Sequence, residues 1–490
     1  MASALGEFVE RLSTNFFFSN YYLGEKQKYY HNEKFFPLKS KNFLSKKLWR
    51  FYNPDGELKP ENLIDISVGN IEKGICCLPF FSPKDKTTVY FPVNILNNLY
   101  VSNGMSAGNS KYEAQSQALS EIIERYVKNK IISEEISLPE IPEKILEKFP
   151  KVLKAIKKLE EKGYKIVVHD ASLGNIFPVI NITLLNPKNG TSFVAFGAHP
   201  QFEVALERTL TELFQGRSLN QLNEFQPPDF DSETVSGRYN LENHFIDSTG
   251  LISWKFFNKK SNYKFLKYWN FENSTKKEVE FLGKIIHNLG FEIFIVHYEH
   301  AGMYCCRIIV PGMSEIYPVE DLVWNNRNEG LFFRDDILNL KNLNSGQLKT
   351  LLKKIRKSGA GDHQLVCELI GIAPDADSEW EDFRISELKG LVALALGNFE
   401  TALECFKWTL LFGQISEKKI VRYRCFKSVL EMELSSGFEV SDYADNLMKL
   451  YGQENYKFCR KSLSGKNTFS KLNVEFKLHK RIIEAREKIN

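Results

Sequence analysis

The prolines stop at Pro374. All 17 prolines of the 490-residue chain lie at or before that position, and residues 375–490 contain none. Proline lacks a backbone donor and breaks helix interiors, so a proline-free stretch of this length can be continuous helix, whereas the part before it is divided into shorter elements. Two architectures in one chain are expected, changing over near 345–375: a first domain over 1–345, a linker over 346–374 and a helical domain over 375–490. In the last of these, LVALALGNFETALECFKWTLLFG carries apolar residues at helical spacing on both sides of a turn at Gly397 and Asn398. A weaker echo comes forty residues on, where Gly437 and Phe438 precede YADNLMKLYG. That is the spacing of a helical-hairpin, TPR-like repeat. The tail from Lys457 to Lys488 reads as a basic helix, solvated or facing a partner.

The first 345 residues repeat one unit: a helix closed by glycine, a strand, and a returning strand. KKLEEKGYKIVVHD with FPVINITLL and SFVAFGAH is one copy, and FLGKIIHNLGFEIFIVHYEH with MYCCRIIVPG is the other. Strands that return directly to their neighbours pair antiparallel, while parallel pairs need a helix between them. The class is therefore α+β with mixed or antiparallel sheets. Neither G-x-G-x-x-G nor G-x-x-x-x-G-K-[ST] occurs, so any nucleotide is held by other means. Sixty-five basic against 61 acidic residues give a formal charge of +4, too balanced for a chain whose main partner is a nucleic acid. Eight cysteines without a C-x-x-C pair suit a reducing cytoplasm, and no apolar run reaches the length of a membrane span. His199, His297 and His300, histidines in strand-like surroundings, are assigned no role.

The most informative segment is SNGMSAGNSKYEAQSQALSEIIERYVKNKII, beginning at Ser102. Ser110 and Glu113 have the spacing of a helix-opening capping box. From there Leu119, Ile122, Ile123, Tyr126 and Val127 fall on one side of a helix, and Glu113, Gln117, Glu121, Glu124 and Lys128 on the other. A polar stripe alone is a solvated face, but this one is repeated: ALGEFVERL, starting at Ala4, and ALSEIIERY, starting at Ala118, share Ala-Leu-x-Glu-x-x-Glu-Arg. A third helix, VALERTLTEL, places Arg208 and Glu212 one turn apart. Two carboxylates 5 to 6 Å apart repel by roughly 3 kcal/mol at an effective dielectric of 20, so converging pairs need positive charge among them. Glutamates without histidine or thiolate are the ligands of a hard cation, Mg²⁺ above all. The residues alone leave two readings open: a site for Mg²⁺ and a nucleoside triphosphate, or a salt-bridged interface between three helices.

At these segments the sequence resembles the YcaO family, through ALGEFVERLSTNFFF, LYVSNGMSAGN, EIIERYVKN, FGAHP, VALERTLTEL, HFIDSTGLISW and RIIVPGMSEIYP. The resemblance implies an ATP-binding fold without a Walker motif, followed by the helical region. Carried over by motif, the metal ligands are Glu7, Glu10, Glu121, Glu124 and Glu212, and the ATP-binding residues are Ser106, Asn109, Glu113, Gln117, Arg125 and Arg208. ATP and Mg²⁺ are the implied cofactors, and the implied chemistry is phosphorylation of a peptide amide oxygen before attack by a nucleophile. No catalytic residue is assigned. The enterobacterial branch of the family implies an accessory factor for β-methylthiolation of an aspartate in the twelfth small-subunit ribosomal protein. Its partners are then that protein or its RimO-type modifying enzyme, with self-association as a homodimer. The alternative is a non-catalytic scaffold docking through its helical domain. Azoline-forming members end in a proline-rich tail, whereas this chain ends RIIEAREKIN, so peptide cyclodehydration is not expected. Met1 falls where family members carry a leading segment that contacts ATP, and weak ATP binding is the corresponding expectation.

Overall fold

The computed structural model describes residues 2–18, 20–24, 28–40, 43–64, 73–214, 225–271, 274–300, 302–322, 329–465 and 467–489. The chain divides into two compact units. The first comprises Met1–Phe17, Tyr30–Leu63 and Ile75–Asn326, and the second Phe18–Tyr29, Ile64–Gly74 and Arg327–Asn490.

The first unit holds two antiparallel sheets. Strands β1 (Lys34–Phe36), β2 (Ile75–Ser82), β3 (Thr87–Pro92), β4 (Met105–Gly108), β8 (Phe294–His300) and β9 (Met303–Ile309) make the larger one, ordered β1-β2-β8-β9-β4 with β3 also on β2. Strands β5 (Lys165–Asp170), β6 (Val179–Asn186) and β7 (Thr191–Ala198) make the smaller. Both returning-strand units expected from the sequence are present: β5, β6 and β7 pair antiparallel in turn, and β8 pairs antiparallel with β9.

Among the helices of this unit are α1 (Ala2–Ser13), α2 (Lys111–Ser133), α3 (Pro150–Glu161), α4 (Phe202–Glu212) and α5 (Thr275–Asn288). The Ser110 hydroxyl caps α2 by accepting the Glu113 N–H at 3.2 Å. The Glu113 carboxylate, however, takes the Asn109 N–H at 3.0 Å, one residue earlier than a capping box would have it. Helix α2 packs on β4 and β9 of one sheet, on β7 of the other and on α5. Leu119, Ile122, Ile123 and Val127 are buried, as their spacing requires. A helix with sheets on two sides and a helix on another has little solvent face left, so its polar stripe is partly covered as well. Strand β7 is buried along its whole length, with α2 and α4 against it. At Gly197 a Cβ would stand 2.8 Å from the Thr209 backbone nitrogen, so only glycine lets α4 sit this close to the strand.

In the second unit the expected linker over 346–374 is a correction. It contains α6 (Ser345–Ser358) and α7 (Val366–Ile370), and Leu348, Leu351, Leu352, Ile355, Val366, Cys367 and Ile370 belong to the unit's core. The apolar residues of α6 recur at i, i+3, i+4 and i+7, a helical stripe hidden among lysines. The change between units accordingly falls near 326 rather than 345. Helices α8 (Ile385–Ala395) and α9 (Phe399–Phe412) form the hairpin expected around Gly397, and α10 (Glu417–Leu434) packs on α9. The basic tail is not a single solvated helix. It forms two, Gln453–Leu463 and Lys477–Ile489, and the second buries His479 and Arg486, which bond to the carbonyls of Tyr22 at 2.7 Å and Tyr29 at 3.0 Å. All eight cysteines are free thiols, and among the described residues no helix is long and apolar enough to cross a membrane.

Candidate functional site

The repeated Glu-x-x-Glu-Arg pattern gives the same local pairing twice. Arg11 lies 3.3 Å from Glu7 and 3.2 Å from Glu10 on α1, and Arg125 lies 3.1 Å from Glu121 on α2. In each copy the arginine stands one turn beyond the first glutamate, the geometry in which opposite charges meet on a helix. Helix α1 packs on β4 and β9, the strands that also carry α2. Glu10 therefore feels Glu121 and Arg125 of α2 in addition to its own neighbours.

Three helices bring their carboxylates into one electrostatic neighbourhood. Burial pushes the Glu10 carboxyl up to about 8; Arg11 opposes this, while Glu121 and Glu7 reinforce it. Burial likewise raises Glu124, with Glu212 and Glu121 adding to the shift. Glu212, at the end of α4, is raised by burial against the pull of Lys128, Arg125 and Arg208. The Glu124 carboxylate accepts the Ala198 N–H at 3.2 Å, and the Arg208 guanidinium reaches the Ala198 carbonyl at 3.5 Å, so the end of β7 is held between the two side chains. The buried Lys128 ammonium donates to the His244 carbonyl and to Ser248 Oγ at 2.8 Å. Burial lowers its affinity for the proton despite Glu124 nearby.

Five carboxylates, Glu7, Glu10, Glu121, Glu124 and Glu212, thus face four cations, Arg11, Arg125, Lys128 and Arg208. Burial is the leading cause of every raised carboxyl here, and it outweighs the cations nearby, Arg11 beside Glu10 included. Arg125 packs over the Phe245 ring at 4.5 Å, and its buried Nη1 has no hydrogen-bond partner among the described residues. The arrangement has the chemistry to take a hard cation on its carboxylate oxygens and an anion on Arg125. Among the described residues, no three histidine, cysteine, aspartate or glutamate side chains stand close enough together to hold a metal ion.

The remaining predicted residues sit toward the start of α2. Asn109 and Glu113 are exposed and bond to each other, Nδ2 to Oε1 at 3.3 Å. Ser106 is buried on β4 with its hydroxyl 3.4 Å from the Ala107 carbonyl, and Gln117 is half-buried. Glu7 lies at the rim, its side chain 63% exposed.

One residue escapes sequence reasoning. Glu278 on α5 is 2% exposed, accepts from Gln201 Nε2 at 2.9 Å and Ser116 Oγ at 3.3 Å, and contributes to the field on Arg208. A signal for it exists: it shares a helical face with the buried Leu282 and Ile286, so a carboxylate occupies a core position. His199 and His297 are both pushed down to about 4 by burial, with Arg208 and Lys111 respectively adding to the effect. Both are neutral near pH 7 and add no positive charge to the cluster.

The YcaO family model, described as YcaO cyclodehydratase, ATP- and Mg²⁺-binding, matches residues 1–314. The YcaO cyclodehydratase C-terminal domain matches residues 330–490. The chain is 44% identical to the ribosomal protein S12 methylthiotransferase accessory factor YcaO of Escherichia coli over 509 residues, covering 100% of this chain and 87% of that protein. An uncharacterized protein of Haemophilus influenzae is 43% identical over 510 residues, with the same coverage of 100% and 87%. Among solved structures, YcaO from Methanopyrus kandleri bound with AMPPCP and Mg²⁺ overlaps 49% of this chain and 64% of that one at 19% identity and a TM-score of 0.34, too distant to place any residue. With family models along both parts of its length and near-full-length relatives above 40% identity, the chain belongs to the YcaO family.

Proposed function

We propose that this chain is an ATP- and Mg²⁺-dependent accessory factor for β-methylthiolation of an aspartate in the twelfth small-subunit ribosomal protein, working in the cytoplasm beside a RimO-type modifying enzyme. The observation that carries the ATP and Mg²⁺ part is that Glu121 acts on Glu10 of α1, on Glu124 of its own helix and on Glu212 of α4, and that burial drives those three toward their neutral forms. A divalent cation is the simplest group that reverses that shift. The name of the Escherichia coli relative and the family's description support the rest.

In this reading Glu7, Glu10, Glu121, Glu124 and Glu212 hold Mg²⁺. Arg125, with its unpartnered Nη1, and Arg208 meet the triphosphate, and Ser106, Asn109, Glu113 and Gln117 serve the nucleoside end. Three turns of helix separate Glu113 from Glu124, about 16 Å along α2. Mg²⁺ with ATP, when bound, supplies a phosphoryl group that turns an amide oxygen into a leaving group. The chain's own contribution is to bind and orient: Glu278 and Gln201 brace one another beside Arg208, and Lys128 ties α2 to the segment at His244 and Ser248.

Calorimetry of Mg²⁺ with ATP against the Glu121→Gln, Glu124→Gln double variant tests this. Binding is expected to vanish while the melting temperature stays at or above that of the wild type, and undiminished ATP binding rejects the reading. A second reading, a scaffold that docks and self-associates as a homodimer through TPR-like helices, is favoured by the lack of three close metal-ligating groups among the described residues. It expects capture of the modifying enzyme to be indifferent to the double variant.

A further inference from the structure

We propose that the basic pocket between α6 and the turn joining α8 to α9 binds an acidic peptide segment of a partner protein, one in which carboxylates flank an aliphatic side chain. The pocket holds about 350 Å³ and is lined by Lys349, Leu352, Lys353, Arg356, Lys357, Leu396 and Asn398. Its four cations lie at i, i+4, i+7 and i+8 of α6, so they share one side of that helix.

None of the four forms an ion pair with a described residue, although cations around them do. Lys354 lies 3.1 Å from Asp336, and Lys389 lies 3.0 Å from Asp362. The nearest acids in sequence are therefore already engaged. Residues 337–361 contain Lys341, Lys349, Lys353, Lys354, Arg356 and Lys357 but no aspartate or glutamate, so the stretch offers its own cations no answer. Like charges one turn apart destabilise a helix. Gathered around a hollow, they make a field that an anionic ligand relieves.

The floor of the pocket narrows the ligand class. Leu352 is 8% exposed and Leu396 is half-buried, and no aromatic ring lines the cavity. Single-stranded nucleic acid is gripped by stacking bases on aromatic rings along an extended track, and neither feature is found in this lining. A free phosphate would engage the cationic rim and leave the leucines uncovered. Carboxylates on the rim with an aliphatic side chain on Leu352 and Leu396 satisfy both surfaces. The pocket shares no residue with the glutamate cluster, so this inference stands whether or not the ATP reading does.

The test uses the full chain and a fluorescein-labelled decapeptide of alternating glutamate and leucine, followed by anisotropy at low salt. Binding is expected, weakening as salt rises. Lys353→Glu with Arg356→Glu should weaken it by about tenfold or more, because two favourable pairs become repulsive. Leu396→Asn should weaken it by a smaller factor. Lys449→Glu, which changes an exposed charge on another helix of the same unit, should leave it within twofold. All substituted lysines and arginines are exposed, and melting curves verify folding of each variant. Absence of peptide binding, or equal loss in the Lys449 variant, overturns the proposal. Tighter binding of a uridine homopolymer at the same cations overturns it in favour of RNA. Competition by inorganic phosphate at concentrations matching the peptide overturns it in favour of a small anion.

Discussion

Both units bury charge, and they treat it differently. In the second unit Arg422 grips Glu379 with two bonds of 2.6 and 2.7 Å, and the buried Lys419 ammonium lies 2.5 Å from Asp382 and 3.1 Å from Glu387. The leftover oxygens are also met: Glu387 accepts from Tyr423 at 2.8 Å and from the Arg384 N–H at 2.9 Å, and Asp382 accepts the Ser416 N–H at 2.8 Å. Bonds to Arg422 and Lys419 hold Glu379 and Asp382 below the usual carboxylate range in spite of burial. In the first unit Glu10, Glu124 and Glu212 are raised instead, Glu10 even with Arg11 3.2 Å away, while Nη1 of Arg125 has no hydrogen-bond partner among the described residues. In one network the bonds to Arg422 and Lys419 overcome burial at Glu379 and Asp382, although Glu387 stays raised and Arg422 Nε has no hydrogen-bond partner among the described residues; in the other burial overcomes the cations at Glu10, Glu124 and Glu212. Carboxylates held in their charged form support a fold, whereas carboxylates driven toward the neutral form are poised for a cation to arrive.

The sharpest way to break this contrast is to remove one partner from each network. Lys419→Met leaves Glu387 and Asp382 without their cation and should cost about 3 kcal/mol or more of stability in denaturant titration. Glu124→Gln should leave the stability of the first unit unchanged or raise it, because it removes a carboxyl that burial already disfavours in its charged form. Equal losses in the two variants would erase the distinction.

Titration should separate the units by sign. Glu10 moves from 4.5 in the unfolded chain to about 8 when folded. The folded state thus binds this proton more tightly, and stability of the first unit falls as pH rises from 4.5 through about 8. Glu379 and Asp382 are depressed, so their contribution is present above the unfolded values of 4.5 and 3.8 and is lost as pH drops below them. Glu387, raised by burial, works against that loss. Scanning calorimetry from acid to mild alkali should show the first unit weakening at high pH and the second at low pH, and Glu10→Gln should flatten the alkaline limb.

If the glutamates hold Mg²⁺, binding must displace protons from Glu10 below about pH 8. Calorimetry in buffers of different ionisation enthalpy should record proton release at neutral pH, together with affinity that climbs as the pH approaches that value. The smallest effect belongs to Glu7→Gln. Its exposed pair with Arg11 is worth no more than about 0.5 kcal/mol to stability, so the melting curve should barely move.

What is periodic or repeated is the most legible part of this sequence. The two returning-strand units, the apolar side of α2 and the doubled Glu-x-x-Glu-Arg pattern all come from regular spacing, which survives without knowledge of contacts. Glu278 is hard to single out because one carboxylate in an amphipathic helix looks like a surface residue until Ser116 and Gln201 are seen to close on it. The stretch over 346–374 reads as a linker because the leucines that anchor it lie scattered among lysines. Covering of the acidic stripe depends on two sheets meeting the same helix, and that tertiary fact leaves no mark in the order of residues.

That double embrace of α2 has a kinetic consequence. Its central amides, around Leu119 to Val127, can open to solvent only when both sheets let go, since the helix touches β4 and β9 on one hand and β7 on the other. They should therefore be among the slowest protons of the first unit to exchange in deuterated water, outlasting those of α1 and α3.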